Sequence, residues 1–167
     1  MRSNDGFREF VAMSSPALSR TAYLLTGDHQ LAEDLLQSAL ASTYRHWRRV
    51  RDGNPVAYVR QAMHREQISW WRRRRPAEHL SGEPVDRRGV EDVAADVVNR
   101  VTLVQALAQL PPRQRAVVVL RFYDDLTEAE TARVLGCAVG TVKRQAHDAL
   151  ARLRVLLPAG FTSEVSS

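Results

Sequence analysis

The spacing of hydrophobic residues predicts helices along most of the chain. Residues 5–26, 29–50 and 55–75 each carry apolar side chains three or four positions apart, as amphipathic helices do. Pro16 predicts a break or a first helical turn within the first of these segments, and Pro76 predicts the end of the third. Alternating apolar and polar runs, which would indicate strands, are almost absent.

The second half of the chain predicts four shorter helices. Apolar residues at helical spacing cover residues 96–110 and 113–123, with two prolines between the segments. Two further helical patterns, over residues 127–135 and 140–156, are separated by Gly136. A connection this short excludes a crossover between parallel strands and fits a helix-turn-helix.

The first helix of this pair has recognisable ends. Thr127 followed by Glu130 fits a capping box, in which each side chain accepts a hydrogen bond from the other residue's backbone amide. Gly136 predicts a left-handed residue just after the helix, because glycine adopts a positive φ at little cost.

The second helix of the pair has an apolar back and a polar, mostly basic front when it is drawn at about 100° per residue. The back consists of Val142, Ala146, Ala149, Leu150 and Leu153. The front consists of Gly140, Thr141, Lys143, Arg144, His147, Asp148 and Ala151. Such a front suits the major groove of DNA, where arginine and lysine reach guanine edges or phosphates. The alternative is an ordinary helical hairpin with a solvated face.

The predicted third helix ends in two tryptophans and four arginines, residues 70–75. Tryptophan rings offer flat faces to unstacked bases and arginines follow the phosphate backbone, so this end is a candidate for holding single-stranded DNA. Three other interpretations stay open: a tryptophan in the core, a solvated helix end, or a helix at a membrane surface. Glu66, Gln67 and Ser69 weaken the last interpretation because they dilute the apolar face.

Charge divides the chain into blocks that match the helical segments. Residues 1–75 carry a net charge of +6, residues 76–97 a net −4 and residues 98–157 a net +4. Two basic blocks around an acidic spacer indicate two contacts with a polyanion. We therefore predict an all-α protein with two small helical domains, 1–75 and 98–157, a flexible acidic linker and a loose tail, residues 158–167.

Several classes of function find no support in the sequence. Walker A, GxGxxG and HExxH motifs and metal-ligand spacings do not occur, so neither an enzyme nor a cofactor is predicted. Cys137 is the one cysteine, which excludes an intramolecular disulfide and favours a cytoplasmic protein. No apolar run reaches the length of a membrane span, and the N-terminus lacks a signal-peptide core.

These motifs, in this order, resemble the extracytoplasmic-function sigma factors of bacteria, which carry sigma regions 2 and 4. Residues 110–154 contain Leu-Pro, Arg-Gln-Arg, Leu-Gly and Gly-Thr-Val-Lys elements and are similar to region 4. Residues 32–47 are similar to region 2, with Asp-Leu-Leu-Gln at positions 34–37 where the family has Asp-Leu-Val-Gln. The Ser-Trp-Trp-Arg-Arg-Arg-Arg ending of the third helix resembles an actinobacterial subgroup.

The resemblance implies a sigma factor, which binds core RNA polymerase, directs it to promoters and assists promoter melting without being an enzyme. Contact with the β′ clamp helices of the polymerase is implied for Asp34, Leu35, Gln37, Leu40 and Tyr44. The β flap of the polymerase and promoter DNA are further implied partners. Family members are often held by an anti-sigma factor, which makes such a regulator a candidate partner here.

The resemblance also divides promoter binding between the two domains. Contact with the −10 element is implied for Asp52, Gly53, Asn54, Arg60, Arg65, Trp70, Trp71, Arg72, Arg73 and Arg74. Contact with the −35 element is implied for Arg113, Arg115, Thr141, Lys143, Arg144 and His147. Extruding a base from the −10 element costs a few kcal/mol, which stacking and a binding pocket must offset.

The chain departs from the family's pattern at positions that read DNA. Arg65 and Ser69 stand where many members have Asn and Asp, and Arg144-Gln145 stands where Ser-Arg is usual. These departures leave the promoter sequence open, because such side chains set specificity. The main alternative function is a stand-alone helix-turn-helix regulator that acts without the polymerase.

Overall fold

The structure, a computed structural model, describes residues 5–78 and 102–158. Within these two ranges every regular element is a helix, as the hydrophobic spacing predicts. The first range contains α1 (Asp5–Thr26), α2 (His29–Arg45), α3 (Trp47–Val50) and α4 (Pro55–Glu78). The second range contains α5 (residues 102–108), α6 (Pro112–Val118), a π-helical turn (Val119–Tyr123), α7 (Glu128–Leu135) and α8 (Val139–Leu156).

Several predicted features fall partly or wholly on residues outside these ranges. They are the acidic linker from position 79 onward, the start of the helix predicted over residues 96–110, and the tail after Pro158. Among the residues that are described, no helix combines the length and the hydrophobicity needed to cross a bilayer.

Neither proline ends a helix where the sequence predicts it. α1 continues through Pro16, and α4 extends to Glu78 with Pro76 in its last turn. A proline removes one backbone hydrogen bond, a loss that a helix tolerates near its end or where its apolar face is well packed. The helix predicted over residues 29–50 is instead divided at His46, where the backbone leaves helical geometry before α3 begins.

The first unit of the fold consists of α1, α2 and α4 around one apolar core. Its buried side chains are Leu18, Ala22 and Leu25 from α1, Ala32, Leu35, Leu36 and Ala39 from α2, and Val59 and Met63 from α4. Phe7 of α1 packs against the Trp47 ring of α3 at 5.1 Å, edge to face. With these faces buried, α2 and α4 turn their polar sides to solvent.

The second unit consists of α5 to α8. Its buried side chains are Ala106, Leu107, Leu110, Val118, Ala149 and Leu153 in one cluster and Val117, Ala132 and Val142 in a smaller one. The smaller cluster joins α6 to the helix-turn-helix formed by α7 and α8. Its position confirms that the apolar back of α8 packs on α7, with Cys137 of the turn beside it.

Local capping sets both ends of α7, as the sequence predicts. Thr127 Oγ1 accepts a hydrogen bond from the Glu130 amide at 3.2 Å, and Glu130 Oε2 accepts one from the Thr127 amide at 2.7 Å. The bond from the Thr127 amide is the main cause that holds the pKa of Glu130 below its ordinary range, because it favours the ionised carboxylate. Gly136 ends the helix at φ 63°, in the left-handed region.

The two units pack against each other. α1 and α4 contact α6, α7 and the π-helical turn, and Val119 of that turn is buried in the core of the first unit. Arg115 of α6 reaches across and donates a hydrogen bond from Nη1 to the Leu25 carbonyl oxygen at 2.6 Å. The same carbonyl accepts a second bond from Gln67 Nε2 of α4, at 3.1 Å.

A polar cluster lies at the centre of this contact, where Asp124 follows the π-helical turn. Its side chain is 1% exposed, and Oδ1 accepts a hydrogen bond from Thr21 Oγ1 at 3.2 Å. Arg60 Nε lies 3.5 Å from the same oxygen, and His64 Nε2 lies 4.0 Å from Oδ2. The sequence predicts either a helix-end pair or a solvated pair of acids at Asp124 and Asp125. Asp124 does end the π-helical turn, but its side chain is buried, and only Asp125 (φ 58°) is exposed.

His64 is fully buried in this cluster, and its burial lowers the pKa of the imidazole below the ordinary 6.5. The Asp124 carboxylate acts in the opposite direction and Arg60 in the same one, but the loss of hydration is the largest effect. The histidine is therefore neutral in the folded chain at neutral pH.

The capping box predicts the effect of Thr127→Ala. The substitution leaves the Glu130 amide without its partner, so we expect the free energy of unfolding to fall by about 1 kcal/mol. Denaturant titration followed by circular dichroism measures the change. Ser19→Ala, at an exposed position inside α1, is the control and should stay within about 0.5 kcal/mol of the parent chain. An equal effect of both variants would contradict the cap.

The burial of His64 predicts a loss of stability in mild acid. As the pH falls below 6.5 the unfolded chain takes up a proton that the folded chain does not bind, so the free energy of unfolding decreases. Denaturant titrations at about pH 7.5 and about pH 5.5 should show this decrease in the parent chain and a smaller one in His64→Gln. His147→Gln makes the same substitution at an exposed position of α8 and is the matched control. A parent-like slope in His64→Gln would refute the assignment.

Candidate nucleic-acid and polymerase interfaces

The front of α8 is open to solvent. Lys143, Arg144 and His147 are exposed and Thr141 is half-buried, while the helix is fixed from behind by its apolar back. Lys143 Nζ lies 3.8 Å from a carboxylate oxygen of Glu128, the first residue of α7. The structure thus brings four of the six residues predicted for the −35 element onto one exposed face.

The other two residues predicted for the −35 element lie apart from that face, on α6. Arg113 is exposed near the start of the helix. Arg115 is buried, and besides Leu25 its guanidinium donates to the carbonyl oxygens of Leu107, Ala108 and Leu110 at 2.8 to 3.2 Å. The donors of Arg115 are thus used inside the protein in this arrangement, and its predicted phosphate contact stays a prediction.

The loop before α4 exposes three residues predicted for the −10 element. Asp52 and Gly53 are exposed, and Asp52 Oδ1 lies 3.6 Å from Arg51 Nε in a solvated pair. Asn54 is also exposed, and its Oδ1 accepts a hydrogen bond from the Ala57 amide at 3.0 Å. The asparagine side chain thus caps the start of α4.

The remaining residues predicted to contact the −10 element lie on different faces of α4. Arg65, Arg72 and Arg73 are exposed, and Trp70 is half-buried. The side chains of Trp71 and Arg74 lie outside the described part of the structure. Arg60 is on another side of the helix, where it faces Asp124 and has only 26% of its side chain exposed. The structure therefore does not group Arg60 with the exposed arginines.

The outer face of α2 carries most of the residues predicted to bind the polymerase. Asp34, Gln37 and Tyr44 are exposed, and Leu40 is half-buried against the core. Leu35 is 7% exposed and packs inside the three-helix unit. The structure places most of this side chain in the core, where it supports the helix, and its predicted contact with the polymerase stays a prediction.

A groove runs between α2 and the end of α4. Asp34 and Leu35 line it on one side and Glu66, Trp70 and Arg73 on the other. One exposed surface thus joins residues predicted to bind the polymerase to residues predicted to bind the −10 element.

The sequence did not reveal the cluster of Thr21, His64 and Asp124 that engages Arg60. One signal was present: His64 occupies a helical position beside Val59 and Met63, where the buried stripe of α4 requires an apolar residue. A polar residue at such a position needs a partner, but the pattern cannot show that the partner is Asp124 in the other unit.

Comparisons with known proteins match both units. The family model described as Sigma-70 region 2 matches residues 10–77, and the model described as Sigma-70, region 4 matches residues 100–153. The chain is 41% identical to RNA polymerase sigma-E factor of Streptomyces coelicolor over 92% of this chain and 86% of that protein. It is 33% identical to ECF RNA polymerase sigma factor SigL of Mycobacterium tuberculosis, over 84% and 82% respectively.

Solved structures show the same fold. The sigma factor RpoE of Bartonella quintana, crystallised with the anti-sigma factor NepR, superposes with a TM-score of 0.74 at 25% identity. The match covers 92% of this chain and 98% of that one. CnrH, solved with the cytosolic domain of CnrY, shares the fold with a TM-score of 0.62 at 22% identity.

The region 2 match argues against a stand-alone helix-turn-helix regulator, which requires no such unit. The region 4 match likewise argues against an ordinary helical hairpin at α7 and α8. The two family models match the chain in the predicted order, and the similarity to the sigma-E factor covers both matched regions. The chain therefore belongs to the extracytoplasmic-function family of RNA polymerase sigma factors.

Proposed function

We propose that this sigma factor recognises the −35 element of its promoters with the front of α8. The observation that carries the proposal is the contrast between the two sides of that helix, one buried on α6 and α7 and the other exposed. Lys143, Arg144 and His147 stand on the exposed side, where a recognition helix meets base edges and phosphates. Arg113, on α6 and apart from that face, supplies a further exposed arginine.

The first unit binds core RNA polymerase through the outer face of α2. Asp34, Gln37 and Tyr44 supply an acidic, an amide and an aromatic group on one exposed surface. The helix beneath them is rigidly held, because Leu35 and Leu36 anchor it in the core. A pre-organised helix face loses little conformational entropy when a partner docks. The β′ clamp helices are the partner that we assign to it, and the β flap is the partner assigned to the second unit.

The loop before α4 and the exposed arginines of α4 bind the −10 element. Asp52, Gly53 and Asn54 form an exposed rim that suits a base taken out of the stack. Arg65 and Arg72, two turns apart on one side of the helix, follow the backbone of the opened strand. In this way the protein directs the polymerase to a promoter and assists its melting as an initiation factor rather than as an enzyme.

Finer features of the proposal rest on similarity and sequence. We assign residues 1–75 to region 2, 76–97 to the linker and 98–157 to region 4. The Ser-Trp-Trp-Arg-Arg-Arg-Arg ending of α4 supports membership of the actinobacterial subgroup with that motif. An anti-sigma factor is a further partner, supported by the solved relative that was crystallised with one. The place of action is the cytoplasm, where the polymerase works.

Two substitutions separate the two binding tasks. Asp34→Ala should weaken binding to core polymerase roughly tenfold and leave recognition of promoter DNA by the assembled holoenzyme unchanged. Arg144→Ala should leave core binding unchanged and weaken promoter binding by about 1–3 kcal/mol. Core binding is measured by fluorescence anisotropy of the labelled sigma factor. A promoter is first obtained by selecting, from random DNA, a sequence that the parent holoenzyme transcribes. Binding of each holoenzyme to that promoter is then measured.

Matched controls remove the same charges elsewhere. Glu9→Ala deletes an exposed acid on α1, and Arg154→Ala deletes an exposed arginine at the far end of α8. Both should behave like the parent chain. Equal loss of both activities in Asp34→Ala and Arg144→Ala would contradict the division of tasks, and a parent chain that forms no holoenzyme would contradict the function itself.

A further inference from the structure

The end of α4 carries two different surfaces. At about 100° per residue, Glu66, Trp70 and Arg73 fall within about 60° of one another around the helix. The same three residues line the groove against α2. Arg65 and Arg72 are exposed on a side of the helix centred roughly 120° away. Trp70, which the resemblance assigns to the −10 element, therefore lies with the groove and not with these two arginines.

The groove has acidic groups beside an apolar wall. Leu35 of α2 contributes apolar surface, and the carboxylates come from Asp34 of α2 and Glu66 of α4. Ser38 Oγ of α2 donates a hydrogen bond to Glu66 Oε1 at 2.5 Å, which orients this carboxylate across the groove. Gln30 Nε2 donates to Asp34 Oδ1 at 3.3 Å. A carboxylate has two oxygens with several lone pairs, so each group keeps capacity for a charged donor.

This combination of groups suits a basic side chain. Tryptophan is the aromatic residue that attracts a guanidinium or ammonium group most strongly, and carboxylates pair with the same groups. The stem of a lysine or arginine packs on apolar surface such as that of Leu35. Arg73 is exposed and offsets only one of the two acids, so the lining keeps a net charge of −1. A phosphate would meet the carboxylates of Asp34 and Glu66, which disfavours nucleic acid as the occupant.

The position of the groove indicates which partner supplies the basic side chain. Asp34 belongs both to the lining of the groove and to the outer face of α2 that we assign to core polymerase. A partner that docks on this face thus covers the mouth of the groove. Burial under a docked partner removes water, and this strengthens both the ion pairs and the contact of a cation with an aromatic ring.

We propose that the groove binds a lysine or arginine side chain of core RNA polymerase, which Asp34, Glu66 and the indole of Trp70 hold together. The inference rests on the proposed docking of the polymerase on α2. It moves Trp70 from the −10 element to the polymerase. The end of α4 then meets two partners, the polymerase through the groove and the opened DNA strand through Arg65 and Arg72.

Substitutions of Trp70 test the aromatic part of the site in the full chain. Trp70→Leu keeps an apolar side chain but removes the ring, so core binding should weaken by about three- to tenfold. Trp70→Phe keeps a ring and should restore part of this loss. Fluorescence anisotropy of the labelled sigma factor with core polymerase measures both. If Trp70 only packs against α2, Trp70→Leu should bind the core at least as well as Trp70→Phe.

Glu66→Gln tests the charge in the groove. The amide oxygen still accepts the hydrogen bond from Ser38, but the negative charge is lost. Core binding should weaken by about threefold and depend less on salt concentration, because one ion pair with the polymerase is removed. Glu9→Gln is the matched control, since it deletes the same charge at an exposed position of α1 and should bind the core like the parent.

Strand binding shows which partner Trp70 meets. Each variant is assembled into holoenzyme at saturating polymerase. Its affinity is then measured for a fluorescein-labelled single strand that carries the −10 element of the promoter selected with the parent. The Trp70→Leu holoenzyme should bind this strand like the parent, whereas Arg72→Ala should bind it about threefold or more weakly, because it loses a phosphate contact.

The outcomes separate the groove from the proposed function. Weaker core binding by Trp70→Leu and Glu66→Gln, with parent-like strand binding, supports the inference. Weaker strand binding by Trp70→Leu overturns it, because the indole then belongs to the −10 element. Parent-like core binding by Trp70→Leu and Glu66→Gln, with a loss in Asp34→Ala, overturns the groove alone.

Two further results are decisive. Parent-like core binding by Asp34→Ala overturns the proposed docking face on α2, and the groove with it. If circular dichroism shows that Trp70→Leu is unfolded, Glu66→Gln decides. Weaker core binding with a reduced salt dependence then supports the groove, and parent-like binding overturns it.

Discussion

The guanidinium of Arg115 is the interaction on which the arrangement of the helices depends. The last turn of a helix leaves carbonyl groups without partners inside that helix, and burying them unpaired is costly. Arg115 donates to such carbonyls at the end of α5, at Leu107 and Ala108, and at the end of α1, at Leu25. One cation thus closes two helix ends that belong to different units. Without it, these buried carbonyl oxygens would lose the donor that Arg115 supplies.

The local features of this chain are predictable because short-range rules determine them. The capping box at Thr127, the left-handed Gly136 and the two-sided pattern of α8 each depend on residues within a few positions, and the structure has all three. Leu35 and Leu40 show the limit of the same rules. Spacing places both on α2, but only the packing of α1 and α4 decides which of them is buried.

The sequence could not show where the side chains of Arg115 and Arg60 lie. An arginine that binds a phosphate and one that binds buried acceptors occur in the same kinds of sequence pattern, so neither composition nor spacing distinguishes them. What distinguishes them is the position of distant groups, the Leu25 carbonyl for one and the Asp124 carboxylate for the other. Resemblance to a family does not supply this information either, since it carries over the roles of residues and not the contacts between the two units of this chain. The same limit hid the burial of His64 and Asp124.

The contact between the two units does not cover the proposed binding surfaces equally. Asp34, Gln37 and Tyr44 of α2 remain exposed. Arg60 and Arg115 are instead turned into the contact, where their guanidinium groups meet the Asp124 carboxylate and the Leu25 carbonyl oxygen. Either arginine would have to leave these acceptors to bind a phosphate, and leaving buried acceptors unpaired is costly. The exposed face of α2 therefore needs no rearrangement to meet a partner, whereas Arg60 and Arg115 do.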